Sequence, residues 1–404
     1  MKIVEINMCA NGSTGKIMLQ IAECVRKTGG IAHTYSTHAF TKKYKKLPPA
    51  PTGHKYYGSY FESGIHVAMA YFFGYNGCYS RFATHRLVRE LKKIKPDVLH
   101  LHNLHGYCIN LSILFNYIKK NHIRVVWTLH DCWTFTGQCP HFDMVSCEKW
   151  KTGCFACPQY KEYPKSYVDR SKTMYKRKKE WFTGVEDMTL VTPSQWLADL
   201  TKQSFLSVYP VQVINNGIDL SVFTPTESDF RKKYNLGNKF ILLGVAFGWG
   251  KRKGLDVFIE LSKRLSNEYQ LVLVGTDERV DKHLPENIIS IHRTQNQKEL
   301  AEIYTVADVF VNPTREDNFP TVNIESLACG TPVITFNTGG SPEIIDETCG
   351  FVVEKEDIDG LIEKINECYK HNFSQTACLT RARNYDMNDK FQEYIELYER
   401  EEDL

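Results

Sequence analysis

Three carboxylates stand close together in VNPTREDNFPTVNIESLACGTPVITFNTGGSPEII, residues 311 to 345: Glu316, Asp317 and, eight residues after Asp317, Glu325. An apolar strand runs into a polar loop and a proline. A helical pattern then begins near Thr321, followed by a glycine turn, a second strand and a glycine pair. A helix start of this kind turns backbone N–H groups toward an anion such as a diphosphate. Glu325, about one turn into the helix, can accept hydrogen bonds from vicinal hydroxyls such as those of a ribose.

Other stretches also carry residue types that do chemistry. CANGSTGKIM, residues 9 to 18, has phosphate-loop glycines but departs from G-x-x-x-x-G-K-[ST] at both ends, with Ala10 for the first glycine and Ile17 for the hydroxyl. It follows an apolar run, Lys2 to Met8, and opens a helical pattern from Lys16 to about Thr28. It is therefore a strand, a glycine turn and a helix start, a geometry that favours an anion or another close ligand. His100 and His102 have the alternate-strand spacing of a metal pair, yet so apolar a strand favours buried, hydrogen-bonded imidazoles. Asp357 and Asp359 form the D-x-D of the chain, but they open a helical pattern and read as capping, so no catalytic metal is expected. Cys139, Cys147, Cys154 and Cys157 are four thiols within 19 residues, ending in CFAC. They suit a structural zinc clip on an irregular loop, with disulfides or plain buried thiols as the alternatives.

The elements that must position these groups alternate along the chain. Strand-like runs occur at 98 to 102, 125 to 130, 190 to 193, 241 to 247, 271 to 275, 309 to 313 and 332 to 336, with amphipathic helices such as LDVFIELSKRL between them. That alternation implies an α/β chain with parallel sheets covered on both faces. A length of 404 residues suggests two domains, and the stretch 205 to 228, with two prolines, a glycine and no long helix, is the natural seam. Ligands of such sheets bind at the carboxyl ends of the strands. A composition of 42% apolar and 24% charged residues marks a folded globular chain, and a net charge of +3 does not argue for nucleic-acid binding. TKKYKK (41 to 46) and KRKK (176 to 179) read as solvated basic faces that could also meet anionic lipid. MKIVEINM reads as a first core strand rather than a secretory signal, and no apolar run has bilayer-crossing length. The expectation is a cytoplasmic protein, peripheral at the inner face of the membrane.

ESLACGTPVI and VINNGIDLSVFTP resemble the retaining, family-four glycosyltransferases, and residues 96 to 120 and 125 to 159 resemble the branch that builds bacterial capsular and exopolysaccharides of the colanic-acid type. The resemblance implies the GT-B fold: two Rossmann-like doubly wound domains facing each other across a cleft. Residues 1–205 form the acceptor-binding domain, 206–384 the donor-binding domain, and 385–404 a helix that packs back on the first. It also assigns roles. Asp317 takes the first acidic position, unless the loop shifts and Glu316 fills it, and Glu325 takes the second. Lys253 matches the phosphate-binding lysine. The partner arginine falls at Phe247, so Lys251 or Arg252 substitutes. His130, before Asp131, matches the histidine near the donor phosphate and transferred sugar. Gly15, Arg252, Glu316, Asn318, Phe319 and Thr321 fall on the donor side, and Thr14, Lys16, Asn103 and Asp131 on the acceptor side.

The function implied is retaining transfer of a sugar from a nucleotide-diphosphate sugar to a glycan or lipid-linked oligosaccharide, without a catalytic cofactor or nucleic-acid partner. Catalysis then rests on preorganised donors at the leaving diphosphate. A nucleotide-sugar epimerase and a non-catalytic zinc-containing binding module are the competing readings. The epimerase lacks the ESLACGTPV type of donor helix, and the binding module leaves Asp317, Glu325, His130 and Lys253 without a joint purpose.

Overall fold

The computed structural model describes residues 1–37, 51–371 and 373–400, so the basic stretch at 41 to 46 lies outside the described residues. The chain divides into two compact units, Met1–Ile214 with the segment from Phe391 onward, and Asn215–Lys390.

The first unit is built on seven parallel strands: β1 (Lys2–Ile6), β2 (Ile31–Ser36), β3 (His54–Tyr56), β4 (Val98–Leu101), β5 (Val125–Thr128), β6 (Met188–Thr192) and β7 (Val211–Val213). Their spatial order is β3-β2-β1-β4-β5-β6-β7. Every residue of β4 and β5 is buried, as expected for parallel strands covered on both faces. Glu5 on β1 stands opposite His100 on β4. Helix Leu111–Lys120 starts where the Asn110 side chain accepts the Ile113 N–H at 3.1 Å, and it buries Leu111, Leu114, Phe115 and Ile118. Phe115 and Phe182 pack on Trp127, with ring centroids 5.3 and 4.8 Å from it. The last helix, Met387–Glu399, buries Phe391, Tyr394, Ile395, Leu397 and Tyr398. Arg124 holds its end by donating to the Tyr398 and Leu397 carbonyls, both at 3.0 Å.

The second unit has six parallel strands: β8 (Phe240–Val245), β9 (Tyr269–Val274), β10 (Ile288–Ile291), β11 (Val309–Asn312), β12 (Val333–Phe336) and β13 (Gly350–Val353), in the order β10-β9-β8-β11-β12-β13. Successive side chains feed opposite faces. Ile241, Leu243, Val272 and Phe310 enter one core, while Leu242, Leu271, Val309 and Val311 enter the other. The order reverses between β1 and β4 in the first sheet and between β8 and β11 in the second. A doubly wound sheet opens a crevice at such a reversal, outside the carboxyl ends of the strands.

The seven expected strand runs and the expected first core strand are all present. The strands outside those runs are β2, β3, β7, β10 and β13, and four of these form the margins of the two sheets. A marginal strand is short or partly exposed: β7 buries none of its residues and β10 only Ile288, so neither stands out as a long buried run. The basic run at 176 to 179 is only partly a solvated face: Lys176 and Lys179 are exposed, but Arg177 and Lys178 are not. Lys178 is 1% exposed, and its ammonium donates to the Trp133 and Thr136 carbonyls at 2.5 and 2.9 Å. Arg177 lies over the Tyr75 ring. A long side chain on a helix can be carried into the interior when carbonyls wait there.

Candidate functional site

In the second unit the loops leaving β8 and β11 meet at the strand-order reversal. The first holds the 3-10 turn Lys251–Lys253 and ends at Gly254, whose φ of 77° suits glycine. A Cβ there would come within 2.5 Å of the Pro313 carbonyl oxygen, so the two loops touch backbone to backbone. The Arg315 N–H donates to the Arg252 carbonyl at 2.8 Å, and the Arg252 guanidinium donates to the Glu316 carbonyl at 3.2 Å. Lys253 Nζ then lies 2.5 Å from Asp317 Oδ2, with both side chains about one-fifth exposed. Of the two adjacent acids, Asp317 meets the lysine, while Glu316 is 6% exposed.

Beyond the loop, helix Thr321–Ala328 follows Pro320, which offers no side-chain cap. Its first N–H groups belong to the orphan donors of any helix start. Glu325, half-buried, accepts from Tyr304 Oη at 3.1 Å and from Thr321 Oγ1 at 3.4 Å. Tyr304 is fully buried, so its hydroxyl holds the carboxylate in one orientation. Gly339 backs the acidic loop, where a Cβ would strike the Asp317 carbonyl oxygen. Asn318 is buried, and Phe319 packs its ring toward Tyr385 in the core at 5.7 Å. Phe247 is fully exposed.

Arg315 was not singled out by sequence, although it stands beside the acid pair. Its guanidinium is 5% exposed and donates to both oxygens of Asp256, at 2.7 and 2.9 Å, to Glu356 Oε2 at 2.8 Å and to the Lys251 carbonyl at 2.5 Å. The Glu356 and Asp256 carboxylates hold its pKa above the usual arginine value, against burial. One side chain thus straps the β8 loop, the β11 loop and the segment after β13.

In the first unit the loops after β1 and β4 are joined by Asn7, another residue the sequence reading missed. Its side chain donates to Thr14 Oγ1 at 3.0 Å and accepts the Asn103 N–H at 3.1 Å, while the Met8 N–H donates to the Asn103 carbonyl at 2.8 Å. Thr14 and Asn103 are therefore brought to one place. Gly15 is required because a Cβ would come within 2.5 Å of the Ala10 backbone. Lys16 is exposed.

His130 follows β5 and stacks on His102, with 3.1 Å between His102 Nδ1 and His130 Nε2. Burial pushes its pKa down to about 4, so the imidazole is neutral at pH 7. Asp131 points elsewhere, accepting from His105 Nε2 at 2.8 Å and from the Trp133 N–H at 2.9 Å. Burial raises its pKa, but the His105 imidazole, together with His141 and the Trp133 N–H, outweighs that and holds the carboxyl at about 2. His105 in turn meets Tyr163 Oη at 2.9 Å. Neither His105 nor Tyr163 carried a sequence signal, because they reach Asp131 from distant loops.

The four cysteines line one pocket with Phe142 and Trp150. All are free thiols, and Cys154 Sγ accepts the Gly137 N–H at 3.1 Å. Their donor set suits zinc. Their spacing does not close around an ion, because among the described residues only Glu5, His100 and His102 place three such ligand atoms within 4.8 Å of one another. Among the described residues, no helix is long and apolar enough to cross a membrane.

The family model "Glycosyltransferase Family 4" matches residues 26–222, and "Glycosyl transferases group 1" matches residues 226–385. The chain is 28% identical over 328 residues to "Putative colanic acid biosynthesis glycosyl transferase WcaC" of Escherichia coli, covering 75% of this chain and 76% of that protein. It is 30% identical over 200 residues to the "N,N'-diacetylbacillosaminyl-diphospho-undecaprenol alpha-1,3-N-acetylgalactosaminyltransferase" of Campylobacter jejuni, covering 46% of this chain and 52% of that one. The structure of Anabaena HepE in complex with UDP-glucose matches with a TM-score of 0.66 at 13% identity, covering 98% of this chain and 99% of that one.

Proposed function

We propose, for a chain that belongs to the family-four glycosyltransferases of the GT-B fold, that it moves a sugar from a nucleotide-diphosphate sugar to a glycan or lipid-linked acceptor in surface-polysaccharide synthesis, with retention at the anomeric carbon and without a catalytic metal. The observation that carries this reading is the Lys253–Asp317 pair beside the start of helix Thr321–Ala328, with Glu325 oriented behind it. In transfer, positive charge builds on the anomeric carbon and negative charge on the leaving diphosphate. The Lys253 ammonium and the helix N–H groups stabilise that diphosphate, which is the largest kind of catalytic contribution. Asp317 exchanges its contact with the lysine for one with the donor hexose, and Glu325 accepts from the ribose hydroxyls. With the leaving-group charge met by a cation and amides, no bound metal is required. The fold of HepE, seen with UDP-glucose, is consistent with such a donor.

Lipid proximity has its own support. Helix Tyr60–Phe73 exposes Phe61, Ile65 and Phe72, at 77, 48 and 58%, on positions i, i+4 and i+11 of one face. Lys165, Arg170 and Arg177 lie over the nearby Tyr71 and Tyr75 rings. An apolar stripe beside cations suits the interface of an anionic bilayer on the cytoplasmic side, where a lipid-linked acceptor waits. The cysteine pocket carries the donor set of a zinc clip: Cys139, Cys147, Cys154 and Cys157 would hold a structural metal that orders the loop after β5, outside the chemistry.

The test is a thermal-shift screen of nucleotide sugars and nucleoside diphosphates without added metal, followed by NMR of the product's anomeric centre. Stabilisation by a sugar nucleotide and retained configuration are expected. Stabilisation by ATP with Mg²⁺ alone, or an inverted product, would overturn the reading.

A further inference from the structure

Glu5, His102 and His130 form a buried file of hydrogen bonds, and we propose that Glu5 and His102 are positioning residues that fix His130 as its Nδ1–H tautomer, a hydrogen-bond donor rather than a base. This rests on the reading of His130 as a donor-sugar contact.

The file is continuous. Glu5 Oε2 lies 3.1 Å from His102 Nε2, and His102 Nδ1 lies 3.1 Å from His130 Nε2. Glu5 is 0% and His102 1% exposed. Two proton arrangements are possible. If Glu5 is a bare carboxylate beside a neutral His102, it takes the Nε2–H, so His102 Nδ1 must accept and His130 must carry its proton on Nε2. If the carboxyl–imidazole pair keeps its extra proton, on either partner, His102 Nδ1–H donates to His130 Nε2. The His130 hydrogen then sits on Nδ1.

The surroundings decide against the bare carboxylate. Among the described residues, Glu5 Oε1 is buried without a hydrogen-bond partner. His100, its cross-strand neighbour, gives no help. Its Nε2 meets Thr128 Oγ1 at 2.8 Å, and that hydroxyl donates onward to Tyr394 Oη, so His100 Nε2 carries the hydrogen. Its Nδ1 accepts from Tyr398 Oη at 2.6 Å and offers Glu5 only a lone pair at 3.6 Å. Arg26, whose charge favours ionised Glu5, spends its guanidinium on Glu23 and the Ala32 carbonyl. A carboxylate with one bare oxygen and no cation in contact is costly in the interior, and retaining a proton removes that cost. Burial accordingly pushes Glu5 well above the usual carboxylate range and His102 well below the usual imidazole range. The same bonds occupy both nitrogens of His100 and of His102, which speaks against a metal held by Glu5, His100 and His102.

The consequence for the reaction is specific. An Nδ1–H donates to an oxygen of the sugar or diphosphate and cannot deprotonate the acceptor, so that proton passes to the leaving phosphate.

The test labels the histidine imidazoles of the full chain with ¹⁵N and assigns His130 by its loss in His130→Asn. The wild type is expected to show a protonated Nδ1 and an unprotonated Nε2. Glu5→Leu should move His130 toward the Nε2–H form and lower kcat tenfold or more with donor KM little changed. Glu5→Gln, whose amide can donate to His102 Nε2, should keep both the tautomer and most of kcat. A wild-type His130 protonated on Nε2 would overturn the proposal without needing any variant. So would Zn²⁺ coordination detected at His102 Nε2. The tautomer is read without substrate, so an Nδ1–H in a protein that bound no sugar nucleotide would remove the glycosyltransfer reading and leave the assignment standing.

Discussion

Lys253 Nζ and Asp317 Oδ2 lie 2.5 Å apart although 64 residues separate them in the chain. The ammonium proposed to meet a diphosphate is thus paired with a carboxylate in this structure. Lys253→Ala should reduce kcat by about 10²- to 10³-fold, the usual cost of losing one preorganised donor. Asp317→Asn should also lose transfer, yet bind UDP or GDP at least as tightly as the wild type, because the lysine is released. Isothermal titration beside steady-state rates checks this, and weaker diphosphate binding in Asp317→Asn would count against the exchange of partners.

Arg315 holds three segments with one buried guanidinium. Arg315→Ala should lower stability by about 2 to 4 kcal/mol, the range for breaking a buried pair, moderated because both carboxylate partners are about half exposed. Arg315→Lys keeps the charge but not the fork, and is expected to fold while raising donor KM. Thermal unfolding and donor titration read the two effects separately.

Acid should destabilise the first unit in two steps. The folded-state pKa of His130 is about 4, below its ordinary 6.5, so the unfolded chain binds the proton first and stability falls as pH drops from 6.5 to 4. Asp131 has a folded pKa of about 2 against an ordinary 3.8, so its contribution is present above pH 4 and is lost between pH 4 and 2. That shift amounts to about 2 kcal/mol. The upper step is shared with His54, His66, His100 and His102, which burial also holds below the usual imidazole range, so denaturation curves across pH should show a smaller upper step in His130→Gln and a diminished lower step in Asp131→Asn.

The exposed stripe on helix Tyr60–Phe73 can be tested apart from catalysis. Phe61→Glu with Phe72→Glu removes two apolar side chains, each worth about 1.5 to 3 kcal/mol when fully buried. Co-sedimentation with vesicles containing anionic lipid should fall tenfold or more, while transfer to a soluble acceptor stays unchanged. Unaltered sedimentation would exclude this face as the docking surface.

If the cysteine pocket binds zinc, purified protein should contain close to one equivalent by elemental analysis, and a chelator should expose four additional thiols and lower the melting temperature. Cys154→Ser with Cys157→Ser should lose the metal. Rapid thiol labelling with no metal present would favour plain thiols.

The sequence by itself determined the central strands, the helix beginning at Thr321 and the glycines before the helices, because these follow from local periodicity and backbone conformation. Motif resemblance supplied the family and a list of candidate residues. Only tertiary structure decided which of them meet. Lys253 reaches Asp317 because strand order reverses between β8 and β11, and that order is set by how helices cover the sheet. Glu5 reaches His102 across 97 residues for the same reason on β1 and β4. Arg315, Asn7 and Lys178 carry ordinary local signals, yet each is fixed by partners from distant loops. Long-range pairing and burial set both contact and protonation, and neither is written in a spacing along the chain.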